Sequence, residues 1–291
     1  MINSEFVQEA RSHLDFIPAC PEMEIGLGVP RDSIRIVDVR GMKRLIQPKT
    51  GLDVTERMNR FAFRFLSSLN AVDGFILKFR SPSCALKDVR VYAGEKSNVI
   101  AGKSPGLFGG AVLSAYPGLA IEDEGRLRNH DIRDHFLTKL FALAGFRRIE
   151  EMKDMHALIS FHEKNKLLLM AYNQSELKIM GRLVANHARI DINELTARYR
   201  KHLSSALLAP GGVGRNIDVL MHAAGHFKDE LSPPEKQLLN SSLQAYRSGQ
   251  IPQSAAIAVL LGMASRFENE YLLSQSYFHP YPDELRRICG R

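Results

Sequence analysis

The sequence predicts an α/β N-terminal domain with a largely parallel sheet, residues 1–148, followed by an all-α C-terminal domain, residues 152–291. Three observations predict this. Up to about residue 148, short apolar runs alternate with helical periods, the pattern of strands joined by crossover helices. Beyond that point the apolar period is helical and no strand pattern is found. The length of 291 residues corresponds to two domains at roughly 150 residues each.

Taken in order, residues 2–13 place Phe6, Val7, Ala10 and Leu14 at helical spacing. Leu14-Asp-Phe-Ile-Pro-Ala-Cys20 then reads as a short strand, and Gly26 and Gly28 open a loop. Ser33–Val39 alternates like a strand, Arg40-Gly41 turns the chain, and Arg44–Gln47 pairs back. Asp53 followed by Glu56 marks a helix start, with Met58, Phe61, Phe65, Leu66 and Leu69 on its apolar face. Phe75-Ile-Leu-Lys-Phe-Arg-Ser-Pro-Ser-Cys84 begins as a buried strand after Asp73-Gly74 and is broken by Pro82. Val89–Tyr92 is a further strand, residues 94–110 read as a long loop, Leu107–Ala115 as a helix and Leu119–Ile121 as a strand. Asn129 caps a helix running to Ala144.

In the second half, residues 152–187 form a continuous helical period with Leu158, Phe161, Leu168, Tyr172, Leu177, Met180 and Val184 as core positions. Asp191 starts a helix that ends near Leu208. Asn216 caps the next, to about Glu230. Ser232-Pro-Pro-Glu235 has a serine cap, proline in the first turn and glutamate at the capping-box position. Gly249 and Pro252 punctuate, and a long helix runs to about Ser276. About five helices result.

Composition narrows the class. Hydrophobic residues make up 45%, enough for a sizeable core and against global disorder. Lys plus Arg exceeds Asp plus Glu by 39 to 32. The excess is +4 up to Glu150 and +3 after it, so it permits nucleic acid without concentrating in a tail. Three cysteines make no disulfide framework. No signal-peptide pattern opens the chain, and no apolar run reaches the roughly 18 residues that span a bilayer. The expectation is a cytoplasmic, bacterial-type protein with no membrane association and no obligate protein partner.

Cys20 and Cys84 both end short apolar runs beside proline, which points to one shared site. Ligands of open α/β sheets bind outside the carboxyl ends of strands. Thiolates suit soft metals and iron–sulfur clusters, but two are too few for a closed site and buried free cysteines are common. The glycine-rich stretch with Lys96, Lys103 and Ser104 lacks the Walker spacing. Arg215, Asp218, His222, His226 and Asp229 form a polar stripe along one helix. His222 and His226 have the spacing of a zinc pair but no third ligand, so a solvated or partner-binding face is the simpler reading. Arg215, at a helix start after a glycine-rich loop, is placed for a phosphate. His162 and Lys166 make a second polar pair at the same spacing.

Several blocks resemble the thiouracil desulfurase family: Cys20-Pro-Glu-Met-Glu-Ile-Gly-Leu-Gly-Val-Pro-Arg31, Thr50-Gly-Leu-Asp-Val-Thr55, Gly74 to Cys84, Gly106-Leu-Phe108 and Glu122-Asp-Glu-Gly-Arg-Leu127. Phe161-His-Glu-Lys-Asn-Lys166, Gly214-Arg-Asn216 through His222, Tyr246-Arg-Ser-Gly-Gln-Ile-Pro252 and Pro280-Tyr-Pro-Asp-Glu-Leu285 resemble the YbgA-like helical domain. The combination is similar to bacterial desulfidases that remove sulfur from 4-thiouridine in tRNA. The resemblance implies a 4Fe-4S cluster on three cysteines, with Cys20 and Cys84 at two of the three positions. It implies Glu24 as acid/base, Ser81 as the active hydroxyl, and a tRNA surface using Lys166, Arg215 and His222. The substrate implied is thiolated uracil or tRNA carrying it. The family's first ligand ends an N-terminal strand with a Cys-Leu-Leu-Gly-like motif. This chain starts too late to contain that motif, and Cys289 sits at the far C-terminus. Cys84-Ala85 also replaces the family's Cys-Gly. The expectation is therefore either a start assigned too late or a truncated relative that has lost the cluster and keeps RNA binding.

Overall fold

A computed structural model describes Ile2 and residues 4–287. Ser4 accepts a hydrogen bond from the Val7 amide (3.2 Å) and starts α1, Glu5–Glu9. A 3₁₀ turn, Ala10–Ser12, follows. The strand expected over Leu14–Cys20 does not form; the segment has no regular secondary structure. Pro18 has no N–H for a ladder, and Phe16 and Ile17 are exposed rather than buried. A single helical turn, α2, Pro21–Glu24, starts directly after Cys20.

Strands β1, Arg35–Val39, and β2, Met42–Gln47, form an antiparallel hairpin in which Val39 faces Met42. Arg40 and Gly41 make the turn, both with positive φ, the geometry that matches strand twist in a two-residue hairpin. The short β3, Leu52–Asp53, extends the sheet antiparallel to β2. The Asp53 side chain accepts from the Thr55 amide (2.9 Å) at the start of α3, Thr55–Ser68. That helix buries Met58, Phe61 and Leu66, the face its spacing predicts.

Strand β4, Gly74–Leu77, leads into the Ser-Pro-Ser-Cys loop. Strand β5, Val89–Tyr92, lies parallel to β1. The stretch 94–110, expected as loop, contains β6, Ile100–Ser104, antiparallel to β5. It is an edge strand with mostly exposed residues, and one ladder partner suffices there, so it carries no apolar signal. Helix α4, Leu107–Ala115, and strand β7, Ala120–Asp123, complete this part. The result is a mixed five-stranded sheet in the order β3-β2-β1-β5-β6 and a separate parallel pair, β4 with β7. Ile36, Leu45, Val54, Met58, Val91, Phe108 and Val112 form one apolar core between sheet and helices.

Asn129 accepts from the Ile132 amide (3.1 Å), as expected of a cap. The helix it starts, α5, His130–Met152, continues past Ala144. The helical period over 152–187 is three helices: α6, Met155–Lys164; α7, Lys166–Tyr172; and α8, Gln174–Ala185. The Asn173 side chain accepts from the Ser175 and Glu176 amides (both 3.1 Å), and so restarts the helix inside an unbroken apolar pattern. Asp191 caps α9, Ile192–Ala206. Asn216 does not cap: α10, Val213–Ala224, starts after Gly212, and the Asn216 side-chain oxygen accepts from the Tyr277 hydroxyl (3.1 Å). Glu235 accepts from the Ser232 amide (2.9 Å) at the head of α11, Pro233–Arg247. The long helix expected to Ser276 is α12, Gln253–Arg266, and α13, Glu270–Leu273, divided at Glu268, which has positive φ. A last turn, α14, spans Asp283–Arg287. The described residues after Met152 contain more helices than the five expected, because caps rather than pattern changes divide them.

Contacts separate the chain into two compact units. One holds the residues up to Leu140 together with the last described turn from Glu284; the other is Phe141–Asp283. The first is α/β and the second all-α. No helix among the described residues is long and apolar enough to cross a membrane.

Candidate active site

The site of the first unit lies where β4 ends. Ser81 and Ser83 follow the strand, and Cys84 closes the turn. The Ser81 hydroxyl accepts from the amides of Ser83 (3.2 Å) and Cys84 (3.1 Å) and so folds the loop on itself. Helix α4 fixes the loop from below. Its start has no side-chain cap. Instead, the Leu107 amide donates to the Pro82 carbonyl (3.2 Å) and the Gly109 amide to that of Ser83 (3.0 Å). These are the donors that a helix start leaves without intrahelical partners. The contact is close because residues 106 and 109 are glycines. A Cβ at Gly106 would stand 2.5 Å from the Ser83 carbonyl, and one at Gly109 2.4 Å from that of Cys84.

Glu22, on α2, meets this loop. Its carboxylate accepts from the hydroxyls of Ser83 (2.9 Å) and Ser81 (3.3 Å). Arg31 closes the arrangement from the other side. Its guanidinium pairs with Glu22 (2.5 Å), donates to the Gly28 carbonyl (2.8 Å) and lies 4.0 Å from the Cys20 sulfur. Cys20 and Cys84 are both free thiols of intermediate exposure. Burial, opposed by a hydrogen bond to Ser81 and reinforced by Glu22 and Cys20, pushes the Cys84 thiol up to about 12. The structure thus brings Cys20, Cys84 and Ser81 together, as their shared sequence grammar predicts. Glu24, the expected acid/base, is exposed, and it is the Glu22 carboxylate that meets the loop. Residues two apart on a helix point about 200° away from each other, so one of the two faces the loop. Arg31 is a site residue that the sequence reading missed. It reaches Glu22 only because the segment at Gly28 folds back, and no local pattern signals that.

Close by, β7 ends in Glu122-Asp-Glu124. Glu124 accepts from the Lys78 ammonium and the Phe79 amide, both at 2.5 Å, and ties the end of β4 to that of β7. Asp123 is buried, and its carboxyl is raised above the usual range mainly by that burial.

In the helical unit, Lys166 begins α7 and is exposed; His222 is exposed on α10. The His222 ring lies 5.8 Å from that of His226, which stacks on Tyr271 at 5.0 Å. Burial first, then the charges of His222 and Lys166, lower the His226 imidazole. Lys166, His222 and His226 therefore share one neighbourhood. Arg215 is engaged elsewhere: its guanidinium donates to the Tyr172 carbonyl, where α7 ends. His162 faces inward, with Nδ1 3.0 Å from the Tyr199 hydroxyl.

Residues 1–124 match the family model for 2-thiouracil desulfurase. Residues 166–282 match a family described as a protein of unknown function, DUF1722. The chain joins a thiouracil desulfurase-like domain to a YbgA-like domain. The second name comes from the uncharacterized protein YbgA of Escherichia coli (strain K12). That protein is 28% identical over 151 residues, which are 51% of this chain and 89% of the relative. No solved structure matches. The desulfurase match supports a desulfidase-like function for the N-terminal domain.

A cubane cluster would need three or four donors of the thiolate type. In the desulfurase-like domain, Cys20 and Cys84 supply two. Among the described residues no group of three or more His, Cys, Asp or Glu could hold a metal. Cys289 lies outside the described residues. The described donor set does not by itself make a closed cluster.

Proposed function

We propose that this chain is a desulfidase that removes sulfur from thiolated uracil, with 4-thiouridine in tRNA as its substrate. One observation carries the reading. The Glu22 carboxylate is held by Arg31 within reach of the Ser81 hydroxyl, 3.3 Å away, in a domain matched by the desulfurase family. The overall change is hydrolytic: a thiocarbonyl and water give a carbonyl and hydrogen sulfide, with no net electron transfer. Such a reaction needs a base for the attacking water and a proton donor for the departing sulfur. Glu22 is the base, since Arg31 holds its carboxylate in place beside the Ser81 and Ser83 hydroxyls. The Ser81 hydroxyl is the proton donor to sulfur, and Glu22 restores its proton.

The family resemblance also implies a 4Fe-4S cluster with Cys20 and Cys84 as two ligands, which would need a further donor from outside the described residues. The YbgA-like domain supplies the RNA surface, with Lys166 and His222 against phosphates. The setting is the cytoplasm of a bacterium.

The test is sulfide release from tRNA containing 4-thiouridine, with iron and sulfide content measured on the same sample. Glu22→Gln is expected to lower the rate about a hundredfold or more, the usual worth of a general base. A variant as fast as the wild type would remove Glu22 from the mechanism. One observation favours a second reading, a non-catalytic RNA-binding relative: the described residues supply only two thiols. That reading predicts tRNA binding with no sulfide release.

A further inference from the structure

We infer that Phe79 and Arg80 form a stacking subsite that receives the planar ring of the substrate beside Ser81. The choice of ligand, a pyrimidine, rests on the desulfidase reading; the surface itself rests on geometry.

The two residues bridge the anchor points of the site. On one side the Lys78 ammonium pairs with Glu124 (2.5 Å) at the end of β7. On the other, Ser81 binds Glu22. Between them the chain bulges outward, with Arg80 in the left-handed region at φ 55°. A non-glycine residue held there costs free energy and is concentrated at functional positions. Phe79 is 41% exposed, unusual for a phenylalanine next to buried strand residues.

Its ring is nevertheless fixed. The Phe79 amide donates to Glu124 (2.5 Å), and Gly125 packs so closely that a Cβ there would stand 2.6 Å from the ring. The Arg80 guanidinium lies 4.8 Å from the ring centroid. Arg80 is itself exposed, so its guanidinium, over the Phe79 ring, adds to the surface beside Ser81. Nucleobases stack on aromatic rings and on arginine planes, and such contacts tolerate any base because every base has a π face. A ring seated in this layer lies next to the hydroxyl of the following residue. No other use of the exposed pair is evident in the fold: neither residue fills the core, and neither side chain pairs with an acid in the described network.

Equilibrium dialysis tests this on the full chain, with 4-thiouracil and its ring-saturated 5,6-dihydro derivative as probes. The two share the thiocarbonyl and differ in the flat conjugated face. The wild type is expected to bind the planar probe about tenfold more tightly, within the usual range for one stacked base. Phe79→Leu and Arg80→Ser are expected to lose that preference, and Phe79→Tyr to keep it. Circular dichroism melting confirms that each variant is folded. Equal binding of the two probes by the wild type, no binding of either, or an unchanged preference in both Phe79→Leu and Arg80→Ser would overturn the subsite. Sulfide release, measured separately, isolates the underlying reading. A planar-ring preference without sulfide release leaves the subsite standing and removes the desulfidase.

Discussion

At the scale of single residues, the two site thiols are not equivalent. Cys84 sits in a pocket that pushes its thiol up to about 12, whereas Cys20 lies 4.0 Å from the Arg31 guanidinium. Thiols react as thiolates, so Cys84 is expected to resist iodoacetamide at pH 8 in the folded chain and to react once the chain is unfolded. Mass spectrometry of the labelled peptides reads this directly; rapid labelling of Cys84 in the folded chain would contradict the burial argument. The meeting of Cys20, Cys84 and Ser81 was legible because both segments end short apolar runs in proline and cysteine. The choice between Glu22 and Glu24 was not legible. It depends on the rotation of a single helical turn, which four residues do not specify. Arg215 shows the converse limit. Its place at a helix start suited an anion, yet its guanidinium serves the Tyr172 carbonyl, a contact 43 residues away in sequence.

At the scale of elements, the thiol loop and α4 act as one piece. The loop carbonyls satisfy the amides of the helix start, and Gly106 and Gly109 allow the backbones to touch. Gly109→Ala places a Cβ 2.4 Å from the Cys84 carbonyl, and backbone atoms cannot yield as a flexible side chain does. The expected cost is about 1–3 kcal/mol, the usual range for overpacking. Denaturant titration measures it, and Cys84 should label faster as the loop is displaced. Unchanged stability and labelling would show that the contact is looser than the geometry implies. Elements with strong local chemistry were readable from sequence: the Arg40-Gly41 hairpin, α3 with its apolar face, α4, and α11 with Ser232 and Glu235. The missed divisions share a cause. Asn173 restarts a helix without interrupting the apolar period, and β6 is an edge strand with no apolar alternation. Pro18 had the opposite effect, since the strand read over Leu14–Cys20 ignored its missing N–H.

At the scale of the whole molecule, several histidines are held below the ordinary value near 6.5. Burial lowers His162, helped by Lys166, and lowers His135, helped by Lys139. His226 follows the same pattern with His222 and Lys166. The unfolded chain therefore takes up protons that the folded chain refuses as pH falls through about 6.5, and stability falls with them. This contribution is intact above the ordinary value and is lost below it. The melting temperature is expected to be lower at pH 5.5 than at pH 7.5, and His162→Gln should shrink the difference. A melting temperature that rises on acidification would reverse the argument. The division at Leu140 also falls inside α5, so no change in composition marks it in the sequence. The exposed ring of Phe79 has one practical consequence. The chain contains no tryptophan, so Phe79→Trp would introduce a single indole beside Ser81. Its emission would report from that one point against a background of tyrosine alone, making the stacking surface an optical sensor of whatever approaches it.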